Sequence, residues 1–77
     1  MEKYMNLGGG SNVLGYEIGT DFIKVQFSSG NPYVYTHASA GVQNVETMKA
    51  LAKRGSGLNS FIMTNCKMLY DPRLSQK

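Results

Sequence analysis

The chain predicts an α+β domain, a three-stranded antiparallel β-meander followed by two α-helices packed on one face. Two observations carry that expectation. Between residues 13 and 35, apolar residues recur with a period of two, in short runs separated by turn signals, as half-buried strands require. Beyond residue 39 the spacing changes to three and four, the period of an amphipathic helix. A run of strands followed by a run of helices places the helices together on one side of the sheet.

The elements follow in order. Residues 1–10, "MEKYMNLGGG", end in three glycines, which lose the most freedom on ordering, so this segment reads as a disordered extension. In "SNVLGYEIG" Leu14, Tyr16 and Ile18 fall on one face, Val13, Gly15 and Glu17 on the other. After the turn "GTD", the strand "FIKVQF" sets Ile23, Val25 and Phe27 against Phe22, Lys24 and Gln26. "SSGNP" is a second turn, and Pro32 suits a strand's first position or an edge. "YVYTH" is the third strand. "ASAGVQNVETMKALAKRG" is the first helix, with Val42, Val45, Met48, Leu51 and Ala52 on its apolar side. Ser39 and Gly41 compete as its N-cap, and Gly55 is its stop. "SGLNSFIMTNCKMLY" is the second, with Leu58, Phe61, Ile62, Asn65 and Leu69 in register. Ser56 is a candidate cap, and Pro72 ends the helix near Tyr70 or Asp71. Residues 71–77 read as a polar tail.

The chain has 77 residues, enough for one domain, and one that buries only about 60% of its unfolded surface. Cys66 is the only cysteine, so no disulfide framework exists, and a reducing surrounding is expected. No apolar run approaches the roughly 18 residues of a membrane span, and the first ten residues lack a secretory apolar stretch. A soluble cytoplasmic protein is the expectation. Net charge is +3, a mild excess that permits weak attraction to nucleic acid.

Catalysis finds little material. His37 and Cys66 are single residues at a strand end and on the last helix, with nothing local to orient a base. Two soft ligands are too few for a structural zinc site. No catalytic residue, metal, cofactor or small-molecule substrate is expected. The turn "KRGSGLNS" offers more: Lys53 and Arg54 precede Gly55, Ser56 and Gly57, and a helix starts just after. Free N–H groups at a helix start attract anions, so Gly55, Ser56 and Gly57 form a candidate anion site; a glycine stop followed by a serine cap explains the same residues. Tyr33 and Tyr35 share a strand face. They supply either core area or a ledge on which bases stack, and a domain this small favours burying at least one ring.

The order "SNVLGYEIGTDFIKVQFSSGNPYVYTHAS", a helix, a glycine break and "LNSFI" resembles the KTSC domain, found at the C-terminus of some lysyl-tRNA synthetases and as small stand-alone bacterial and phage proteins. Residues 11–70 carry the resemblance. Tyr33-Val34-Tyr35 matches the central Tyr-x-Tyr, Ser11, Asn12, Gly15 and Tyr16 match the opening, Ile23, Val25 and Phe27 the second strand, and Asn59 with Ile62 the final motif. The resemblance implies an α+β domain, for which RNA binding has been suggested from the synthetase association.

Two functions are therefore expected. One is a weak RNA-binding module acting through a basic helix-turn-helix edge, with Lys49, Lys53, Arg54 and Lys67 on phosphates and Tyr33 or Tyr35 on bases. The other is a protein-interaction or accessory module, with free strand edges and Met48, Met63 and Met68 lining an adaptable groove.

Overall fold

The computed structural model describes residues 2–7, 12–28, 30, 32–66 and 68–71, and in it four strands form one antiparallel sheet in the order β1-β2-β3-β4. They are β1 (Glu2–Lys3), β2 (Val13–Ile18), β3 (Phe22–Phe27) and β4 (Pro32–Thr36). Helices α1 (His37–Ala40), α2 (Val42–Arg54) and α3 (Leu58–Phe61) follow, and α3 runs into a π-helical turn, Ile62–Cys66. The α+β class and the strands-then-helices order hold.

The fourth strand is a correction to the expected meander. Glu2 pairs with Tyr16 and Lys3 with Gly15, so residues 2–7 belong to the fold and not to a disordered extension. Tyr4 is the reason. Its ring is buried in the core cluster, and its hydroxyl accepts from the Leu58 N–H at 3.3 Å. Leu7 N–H donates to the Gly55 carbonyl at 2.7 Å. Burial of an aromatic ring under a helix start outweighs the entropy of ordering residues 2–7.

The central pairing follows the alternation. Ile23 lies between Ile18 and Tyr35, and Val25 between Tyr16 and Tyr33. Ile23, Val25 and Phe27 are buried as their spacing requires. Strand β2 departs from strict alternation. Its register with β3 slips between Val13, opposite Phe27, and Gly15, opposite Gln26. One extra residue inverts the faces beyond it. Val13 is therefore buried and Leu14 is 54% exposed, so Leu14 does not share the face of Tyr16 and Ile18, which pack against the core.

The helices cover that face differently from two plain cylinders. Thr36 caps α1 through a reciprocal pair: Ser39 N–H donates to Thr36 Oγ1 at 2.9 Å, and Thr36 N–H donates to Ser39 Oγ at 3.0 Å. Gly41, at φ +93°, then separates α1 from α2, so Ser39 belongs to a short turn and Gly41 begins the long helix. Val45, Met48 and Ala52 point inward, but Val42, in the first turn, is exposed. Gly55 ends α2 in the left-handed conformation, as expected of a glycine stop. Gly57, not Ser56, caps α3. Leu58 and Ile62 are fully buried, four positions apart. Regular helix ends at Cys66, short of Tyr70. Leu69 and Tyr70 instead pack against the core without helical structure, and Asp71 N–H donates to the Val34 carbonyl at 2.7 Å on the outer edge of β4. Asp71 is buried and belongs to the fold; the rest of the expected tail and Pro72 lie outside the described residues.

Candidate functional site

Among the described residues, those expected to contact phosphate do not converge. Lys49 is buried. Its Nζ sits 2.8 Å from Glu46 Oε2 and donates to the Thr20 carbonyl at 3.1 Å, tying α2 to the β2–β3 turn. His37 Nε2 meets the same Glu46 oxygen at 2.9 Å. The Lys49 hydrogen bond, then the His37 one, holds the Glu46 carboxyl below its ordinary value of 4.5. Lys49 is thus a structural cation. Lys53 is exposed, but it lines an open cleft of about 420 Å³ together with Glu2, Tyr16, Glu17 and Ile18, so two acids share its surroundings. Arg54 is exposed, and its Nε donates to Ser56 Oγ at 3.1 Å. Lys67 lies outside the described residues, as do the side-chain surroundings of Cys66.

The tyrosine ledge is also absent. Tyr35 is 1% exposed. Tyr33 is part-buried, and Tyr70 stacks on its ring at 4.7 Å between centroids and 13° between planes. Phe27 packs against it at 5.6 Å and 55°. One face of Tyr33 is therefore occupied by the chain itself, and the shared strand face of the two tyrosines is the core face.

The candidate anion site at Gly55, Ser56 and Gly57 is covered in part. Gly55 is buried under Met5 and Leu7, and the first N–H of α3, that of Leu58, is taken by Tyr4. The N-terminal segment thus occupies the Gly55 side of the turn and the first N–H of α3, while Gly57 is exposed.

A different set of residues does converge. At the end of the sheet where β2 begins and β3 ends, Asn12, Phe27, Ser28 and Tyr33 face Asn59 and Met63 from α3 and its π turn, around a cleft of about 310 Å³. All six are uncharged. Phe27 is buried, Tyr33 half-buried, and Met63 46% exposed, so the cleft has an aromatic floor and a flexible apolar rim. Oδ1 of Asn59 is buried with no hydrogen-bond partner. Met63 and Tyr33, and through the resemblance Phe27 and Asn59, stand out singly in the sequence, but their combination does not. A usable signal was present: Asn59 and Met63 are four apart, beside the Leu58–Ile62 core pair, and so border the buried stripe.

Among the described residues, no group of three or more His, Cys, Asp and Glu could hold a metal ion, and no helix is long and apolar enough to cross a membrane. Compared with known proteins, the chain matches no family model, no curated protein and no solved structure.

Proposed function

We propose that this chain is a KTSC-like, non-catalytic interaction module that docks an apolar segment of another protein in the cleft between Phe27, Tyr33 and Met63. The resemblance over residues 11–70 supports the kinship. One observation carries the docking reading: two aromatic rings, Phe27 and Tyr33, and the half-exposed Met63 side chain line one concave surface whose six described residues are all uncharged. The described candidate cations are dispersed: Lys49 lies in a buried ion pair, Lys53 in a cleft with two glutamates, and Arg54 on the surface bonded to Ser56. Strand addition is less favoured, because β1 pairs over two residues only and Asp71 already bonds the outer edge of β4.

The test is a selection from a displayed random-peptide library against the unmodified protein and Met63→Lys. Met63 is half-exposed, so the charge is tolerated by the fold while placed on the cleft rim. Enriched peptides should carry an apolar anchor, and the variant should bind them at least about tenfold more weakly. Peptides that bind both proteins equally would refute the site. A second arm titrates uridine homopolymer at low salt. Binding there that Lys53→Glu with Arg54→Glu removes would return the function to the nucleic-acid class.

A further inference from the structure

We infer that the Asn59 carboxamide is the specificity-determining acceptor of this cleft, taking a neutral main-chain N–H from an extended apolar segment. The inference rests on the docking reading above and adds the chemistry of the ligand.

Buried acceptors nearly always have a donor, and Oδ1 of Asn59 has none. It belongs to a residue on the cleft wall, not to one sealed in the core. The χ2 torsion of asparagine is soft and broad, so this oxygen can be reoriented at little cost. The donor it would accept is neutral: none of the six lining residues carries a charge to compensate a desolvated ammonium or guanidinium. A nucleobase amine is also a neutral donor, but a base gains its affinity by stacking, and Tyr70 already covers a face of Tyr33. An aliphatic side chain beside a peptide N–H needs only the Met63 rim and the edge of Phe27, both of which are present. Peptide main chain next to an apolar side chain therefore fits the site's donors, acceptors and shape together.

The experiment uses two small probes on the full chain, N-acetyl-leucine methylamide and its doubly N-methylated analogue, which has no N–H. Binding is read by NMR from the Met63 methyl and the Asn59 side-chain amide signals. The first probe should shift both signals, and the analogue should bind at least about threefold more weakly. Asn59→Leu should bind the two equally; the comparison on the unmodified protein carries the test even where that variant does not fold. Equal affinity of both probes for the unmodified protein overturns the acceptor role and leaves the docking cleft standing. No shift from either probe overturns the inference, and peptide selection then decides the docking reading separately. Adenosine monophosphate shifting the Asn59 signal at lower concentration than the leucine probe would overturn the peptide assignment in favour of a base.

Discussion

Tyr4 is the side chain that most sharply separates the fold from a meander with a loose leader. It is 3% exposed and sits in the core cluster, and its hydroxyl accepts the N–H of Leu58 at the start of α3. Tyr4→Ala removes a buried aromatic ring, which costs about 3–5 kcal/mol where the surroundings cannot collapse. Tyr4→Phe keeps the ring but strands a buried N–H; at 3.3 Å the bond is long, so the lower end of the usual range applies, about 1 kcal/mol. A domain of this size has about 4–12 kcal/mol in total, at about 0.05–0.15 per residue. Urea unfolding followed by far-UV circular dichroism resolves both. With a slope of about 1 kcal/mol per molar, the midpoint should fall by about 1 M for Tyr4→Phe and by about 3 M or more for Tyr4→Ala. If Tyr4→Ala moves the midpoint by less than about 0.3 M, the N-terminal segment is not packed and the four-stranded description is refuted.

Other consequences are as direct. Val13→Ala should cost about 2 kcal/mol and Leu14→Ser no more than about 0.5, because the register slip buries the first and exposes the second; equal costs in urea unfolding would mean that β2 runs without a bulge. Gly55→Ala puts a Cβ 2.9 Å from that of Met5 at φ +84°, whereas Gly30→Ala at φ +99° meets open space. Both should pay about 1–2 kcal/mol of left-handed strain, and Gly55→Ala more; identical losses would argue against the Met5 contact. Glu46 has a lowered folded pKa, so its stabilising contribution is present above its ordinary value of 4.5 and is lost as pH falls through the lowered one. The gap in thermal midpoint between the wild type and Glu46→Gln should therefore narrow on acidification below that value. Parallel acid profiles would show that the Lys49 and His37 contacts do not hold in solution.

The sequence by itself determined the periods, and through them most of the fold. Alternation in "FIKVQF" grouped Ile23, Val25 and Phe27 on the face to be covered, and the helical spacing of Val45, Met48 and Ala52 chose the covering face, because a side chain's direction along a regular element depends only on its position. Gly55 as a stop was equally local, since a left-handed residue is a property of one backbone site. Tertiary structure alone decided the rest. The Tyr4 hydroxyl meets the Leu58 N–H from 54 positions away, a separation that no window of sequence spans. The slip at Leu14 exists only relative to the partner strand. Lys49 looks like a free surface cation until Glu46 and the Thr20 carbonyl are brought to its ammonium, and Tyr33 looks like an open ring until Tyr70 lies on it. Charge and ring are written in the sequence, but whether either is available to a partner depends on what the folded chain has already set against it.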